Sequence, residues 1–147
     1  MIKENIKTKL FSMQENIIVE LSEKVQMSHS LVDLDEDDTH DPDDYSHQFE
    51  SAEMEQLMKV QLNKAKGGLE KLKSIDFSEK STVQTGAYVE TNKFNFFIGF
   101  STVPFDVEGK HVVGISTNSP IFPMMSGKAA ADKFSYCGIN YEIETIY

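Results

Sequence analysis

Asp33-Leu34-Asp35-Glu36-Asp37-Asp38-Thr39-His40-Asp41-Pro42-Asp43-Asp44-Tyr45 is an acidic run whose two flanks decide the fold. Between positions 33 and 55 the chain carries eleven Asp and Glu and no lysine, whereas 77–147 holds seven acids against five lysines. The net charge of −10 therefore resides largely in one segment. Taken alone, a like-charged run reads as a solvated loop. Upstream, Ile6, Leu10, Met13, Ile17, Leu21 and Val25 recur at spacings of three and four, one stripe of a helix, and no proline or glycine precedes Pro42. Downstream, Met54, Met58, Leu62, Ala65, Leu69, Leu72 and Ile75 repeat the pattern. Each flank predicts a helix of roughly 30 residues, about 45 Å long. Two long helices with narrow apolar stripes and a short acidic connection predict an antiparallel coiled-coil hairpin over 1–76, with its tip near 33–45.

Local chemistry supports that placement of the tip. Pro42 disfavours a helical Asp41 and is suited to open the second helix as a first-turn proline. Asp43 and Asp44 then fall in the first turn, where the helix dipole favours carboxylates. Gly67-Gly68 lies within the second helix at a cost of about 2 kcal/mol against alanine, and predicts a bend or a loosened base there.

The pattern changes near residue 76. Val83, Ala87 to Val89, Phe94 to Phe100, His111 to Ile115 and Tyr141 to Ile146 are short β-branched or aromatic runs. Glu108-Gly109-Lys110, Asn118-Ser119-Pro120 and Cys137-Gly138 are the turn signals between them. Residues 121–129 read as a short helix or an irregular crossing. The expectation for 77–147 is a small antiparallel sheet domain, in which most of the ten phenylalanines supply core rather than a stacking platform. The fold class is α+β.

Composition excludes several functions. One cysteine in 147 residues, Cys137, allows no intrachain disulfide framework or cysteine-based zinc site. No apolar run approaches the roughly 20 residues that span a bilayer, and the N-terminus lacks a signal-peptide core, so a soluble cytoplasmic protein without a membrane partner is expected. All fourteen cations are lysines. An acidic chain without arginine is poorly suited to duplex nucleic acid, where phosphate neutralisation dominates affinity, so no direct sequence-specific DNA binding is expected.

Ile115-Ser116, Ser119-Pro120-Ile121, Gly127-Lys128 and Asp132, followed by Tyr141-Glu142-Ile143 and Ile146, resemble the C-terminal domain of the GreA/GreB transcript-cleavage factors, with the spacing kept from Ser119 to Asp132. Asp38-Thr39-His40-Asp41-Pro42-Asp43-Asp44-Tyr45 resembles that family's hairpin tip: Asp38 and Asp41 fall on its two acidic positions, and Asp44-Tyr45 on the pair opening the second helix. The chain departs from the pattern at Phe122 and Ala131, which replace glycines, at Pro123-Met124-Met125-Ser126, and at Pro42, which replaces asparagine.

The resemblance implies an N-terminal coiled-coil hairpin followed by an FKBP-like sheet domain. It implies a bacterial transcription elongation factor that is not itself an enzyme. The hairpin would enter the secondary channel of RNA polymerase, and Asp38 and Asp41 would help hold the polymerase's second Mg²⁺, so that the polymerase cleaves the 3′ end of backtracked RNA. Such a protein binds no cofactor tightly alone. Asp44, Tyr45, Ser119, Pro120, Ile121 and Phe122 are the implied partner-binding residues, with Phe122, Met124 and Met125 a candidate docking patch. A channel regulator without cleavage activity is the first alternative. A calcium loop beginning at Asp33 is a second, opposed by Asp38 where glycine is needed and by Asp44 at the twelfth position. A prolyl isomerase, a third, would rest on fold analogy alone. His40 and His47 read as surface residues rather than metal ligands, and Cys137 has no partner that would make it a nucleophile.

Overall fold

The computed structural model describes the backbone of residues 2–33 and 42–147 and the side chains of 2–27 and 52–147. Two long helices come first, α1 (Ile2–Asp33) and α2 (Pro42–Lys73), as the two apolar stripes require. Pro42 opens α2, and Lys71 and Lys73 complement the dipole at its last turn. Contacts divide the chain into two compact units, Met1–Leu10 with Ser74–Tyr147, and Phe11–Lys73.

In the helical unit α1 and α2 run antiparallel: Gln14 lies against Ala65, and Ser22, Val25 and Gln26 line one small cavity with Glu55, Lys59 and Leu62. Gln14 Nε2 donates to Ala65 O at 2.7 Å, so a buried amide sits at a position where the stripe would accept an apolar residue. Glu55 is buried too, and pairs with Lys59 at 2.9 Å. Of the expected stripe in this unit, Met13, Leu21, Val25, Met58, Leu62 and Leu69 are half-buried, while Ile17 and Met54 are exposed. Two helices offer each other only one face, so positions at the edge of a stripe stay in water. α2 runs through Gly67-Gly68 without a break, the lost propensity being absorbed by a helix of 32 residues.

The sheet unit contains β1 (Tyr88–Thr91), β2 (Asn95–Ile98), β3 (Phe105–Val107), β4 (Lys110–Ile115), a short helix α3 (Phe122–Met125), β5 (Lys133–Tyr136) and β6 (Ile139–Ile146). The strand order is β3-β4-β2-β1-β6-β5. Four of the five pairings are antiparallel, as expected; β2 and β4 pair in parallel, with Phe96 opposite Val113. This corrects the all-antiparallel expectation to a mixed sheet. After β2 the chain crosses over Gly114, where a Cβ would stand 2.3 Å from Phe100 O. Thr102 N donates to Gly114 O at 3.1 Å and Gly114 N to Thr102 Oγ1 at 3.0 Å. The crossing carries the chain to the outer edge, where β3 forms, and β4 returns inside it.

Two tight turns fix the registers. Glu108-Gly109 joins β3 to β4 and Cys137-Gly138 joins β5 to β6, each with positive φ at both residues, the type I′ geometry that matches strand twist. The strands then alternate. Val89, Phe96, Ile98, Phe134, Tyr141 and Ile143 face a core closed by Met125 of α3. Tyr88, Phe97 and Val112 are equally buried, outside that cluster. Phe77 stacks on Phe97 with ring centroids 5.4 Å apart, and Lys7 Nζ lies 5.4 Å from the Phe77 centroid. Lys3 Nζ donates to Ser78 O and to Tyr147 O, and Asn5 Nδ2 to Glu108 Oε1. The first turns of α1 are thereby part of the sheet unit.

Candidate functional site

Two places stand out in the sequence, the tip and the segment from Ser116 to Asp132. Asp38 and Asp41, with His40, lie outside the described residues. Asp44 and Tyr45 fall in the first turn of α2, where only the backbone is described, as it is at His47. Among the described residues no group of three His, Cys, Asp or Glu is placed to hold a metal ion.

The second segment is fully described, and its residues build a rigid link between β4 and β5. Ser119 closes the first bend: its N donates to Ser116 O at 3.0 Å, and its Oγ accepts from Ser116 N at 3.2 Å. Pro120 follows on the surface, and Phe122 N donates back to Ser119 O at 3.0 Å, starting α3. Ile121 and Phe122 are half-buried and pack against the core, so each presents only part of its side chain outward. Met125 is wholly buried and belongs to the core rather than to a docking patch; Met124 next to it is exposed. The short helix separates the two because its single turn has one inward side.

Beyond α3 the chain turns at Gly127, whose φ of +76° suits glycine, and Gly127 N donates to Val83 O at 2.9 Å. Val83 N returns a bond to Lys128 O, a two-way tie that anchors the link. Asp132 Oδ2 accepts from Ala129 N at 2.7 Å, holding a bend that ends at Ala131 with φ +74°. A left-handed alanine is strained by its Cβ, and this is the position where the resemblance has a glycine. The backbone keeps the glycine conformation although the residue has changed. The role of Asp132 in this bend was not foreseen; an aspartate three residues after a candidate turn amide is the signal that would have found it.

Electrostatics concentrate elsewhere in the sheet unit. Lys80 and then the Ser78 amide and hydroxyl hold the Asp76 carboxyl below the usual carboxylate range, with Asp76 Oδ2 to Lys80 Nζ at 2.8 Å. Burial, then Lys80, lowers the Lys3 amine to about 8, against Asp76 and Glu79. Burial, with Glu90 next, pushes the Tyr88 phenol up, and the bond to Glu90 raises Lys110. Cys137 is exposed in its turn and has no disulfide. No helix among the described residues is long and apolar enough to cross a membrane.

No protein-family model matches the sequence, and no curated protein matches it. Among solved structures, a crystal structure of GreA factor homolog 1 (Gfh1) of Thermus thermophilus is similar over 93% of this chain and 94% of that chain, at 14% identity and a TM-score of 0.36. A second structure, of the transcription factor Gfh1, is similar over 93% and 92%, at the same identity and score. At that level the likeness transfers nothing of how the factor acts.

Proposed function

We propose that this protein is a factor of the GreA/GreB type that binds RNA polymerase, its hairpin entering the secondary channel and its acidic tip serving the polymerase's cleavage of backtracked RNA. The observation that carries the reading is the pairing of architecture with motif. A helical hairpin precedes a six-stranded sheet, and Ser119, Gly127 and Asp132, residues of the resemblance, each fix a turn of the link between β4 and β5. The tip chemistry is coherent with that role. Mg²⁺ takes carboxylate and water oxygens, and a second Mg²⁺ in a two-metal site supports attack on a phosphodiester. Asp38 and Asp41 would supply carboxylates to that ion jointly with the polymerase, while Asp44 and Tyr45, in the first turn of α2, would touch the polymerase near the tip. Ser119, Pro120, Ile121 and Phe122 would touch the polymerase outside the channel, with Met124 adding exposed apolar surface. The protein would be a cleavage cofactor rather than an enzyme, working in the cytoplasm.

A second reading, a channel regulator without cleavage activity, is favoured by the surplus acids Asp35, Glu36, Asp37 and Asp43 and by Pro42 in place of asparagine. Excess negative charge near an RNA 3′ end repels phosphate. Transcript cleavage by a backtracked elongation complex of the cognate polymerase separates the two. Shortened RNA that needs the protein and Mg²⁺, and is lost with Asp41→Asn while binding persists, supports the cleavage reading. Binding without cleavage selects the regulator, and no binding to the polymerase removes both.

A further inference from the structure

A cleft of about 540 Å³ opens in the sheet unit beside the first turn of α1, with Ile2, Phe77 and Tyr147 among its walls. Lys3 lines it, yet the residue is only 6% exposed, a rare depth for a lysine. Its Nζ donates to two main-chain oxygens, Ser78 O and Tyr147 O. Two acceptors match one state of the amine. An ammonium has three N–H donors, and the third finds no acceptor among the described residues. A neutral amine has two, both are used, and only its lone pair is left. The charges around the nitrogen are mixed. Glu4, Glu79 and Glu108 line the cleft together with Lys110, which Glu90 holds, while Asp76 and Lys80, paired with each other, act from the segment after α2. Burial, then Lys80, outweighs Asp76 and Glu79 and holds the amine at about 8.

We propose that Lys3 is an acylation site, its amine attacking the carbonyl of an uncharged ester or thioester whose apolar acyl chain lies along Ile2, Phe77 and Tyr147. A desolvated lysine is a nucleophile because its lone pair is free at neutral pH. The new bond joins Nζ to the acyl carbon, and the carbon–oxygen or carbon–sulfur bond breaks. The leaving group departs with that electron pair, and the proton lost from nitrogen passes to it or to water. Nothing is oxidised or reduced. The site selects among electrophiles. An amide keeps one N–H for one of the two main-chain oxygens, whereas the imine formed from an aldehyde keeps none. The three cleft carboxylates repel an anionic acyl donor, so the donor is uncharged. A cleft of about 540 Å³ has room for an acyl chain longer than acetyl. The product loses one of the two bonds by which Lys3 ties the first turn of α1 to Ser78 and Tyr147, so acylation loosens the base of that helix. None of this depends on a role at RNA polymerase.

The test treats the full chain at pH 7.5 with a limiting amount of p-nitrophenyl butanoate, an uncharged ester, and reads each lysine by peptide mass mapping, with fragment ions separating Lys3 from the α-amino group. Lys3 is expected to react at least about tenfold faster than the median of the other thirteen of the fourteen lysines. At that pH an amine titrating at about 8 is free in roughly a quarter of the molecules, against about one in a thousand for an ordinary lysine, and restricted access offsets part of the advantage. The rate at Lys3 is expected to level off above about pH 9 while the other lysines keep rising, and its advantage to vanish in denaturant. Reaction at Lys3 no faster than the median, an advantage that survives denaturation, or equal reaction with butanoyl phosphate, an anionic donor of the same acyl group, each overturns the proposal.

Discussion

The sheet unit and the helical hairpin hide their apolar residues to different depths. Around β1, β2 and β6, Tyr88, Val89, Phe97, Ile98 and Ile143 are withdrawn completely from water. In the hairpin, Ile17, Val19, Met27, Met54, Leu57 and Val60 stay 44 to 69% exposed, and the buried set includes the polar Gln14 and Glu55. A sheet covered on both faces can bury consecutive residues, whereas a helix with one partner buries only a seam. The difference is one of architecture more than of composition. On burial alone, a sheet residue withdrawn from water should contribute more stability than a hairpin residue at the edge of its stripe.

The sharpest way to break that contrast is a pair of truncations. Ile143→Ala is expected to cost about 2–5 kcal/mol and Leu57→Ala within about 0.5 kcal/mol, since only the first empties a packed site. Four of the five tyrosines lie in the sheet unit, so tyrosine emission during denaturation reads that unit while far-ultraviolet ellipticity is weighted to the hairpin. Comparable losses from the two substitutions would abolish the distinction. Next in size is Gly114→Ala. Its Cβ would meet the Phe100 carbonyl at 2.3 Å, a backbone atom that moves only with the whole crossing, and a loss of about 1–3 kcal/mol is expected in the same denaturation assay. A neutral result would mean that the segment from β2 to β3 does not need its close approach.

Glycine acts in the opposite sense in the hairpin. A Cβ at Gly67 meets nothing within 4 Å, so Gly67→Ala is expected to stabilise α2 by about 1 kcal/mol, read as a higher melting temperature in far-ultraviolet ellipticity. Failure to stabilise would show that the glycine pair serves something besides helix formation. Ala131→Gly offers the counterpart in the sheet unit: relief of a left-handed alanine at φ +74° is expected to gain up to about 1 kcal/mol, reduced by the extra freedom of glycine when unfolded.

The same positions separate what is legible in the amino-acid sequence from what is not. The hairpin is legible because periodicity and a helix-opening proline act within a few residues, and α2 does begin at Pro42. The two type I′ turns are legible in Glu108-Gly109 and Cys137-Gly138 for the same local reason. The parallel pairing of β2 with β4 is not, because it follows from β3 forming first at the outer edge and β4 returning between β3 and β2, an order that no local signal encodes. The helix continues through Gly67-Gly68 because a local propensity cost is shared over the whole of a long helix. Of the residues marked for function, Ser119 to Phe122 can be followed to their places in the link, whereas Asp38 and Asp41 lie outside the described residues. The cleft beside Lys3 has no signature at all, being assembled from residues 2 to 4, 77 to 79, 108 to 110 and 147.

Lys3 gives an effect of a different kind, seen only as a dependence on pH, and the one most specific to the sheet unit. Burial, followed by the nearby Lys80, holds its amine at about 8 rather than 10.5. Between those values the unfolded chain retains a proton that the folded chain has released, so the unfolded state binds more protons and stability rises with pH. Below about 8 both states are protonated and the contribution is flat, with the ammonium's burial cost fully present. Lys3→Met keeps the buried stem and removes the titrating group. In chemical denaturation followed by tyrosine emission between about pH 7.5 and 9.5, below the ordinary tyrosine range, the native chain should gain stability relative to this variant. The gain should not exceed the slope for one proton. Parallel curves would mean that the two bonds to the carbonyls of Ser78 and Tyr147 stabilise the ammonium enough to cancel its desolvation, and that the base of α1 is held by charge as well as by the packing of Ile6 and Leu10.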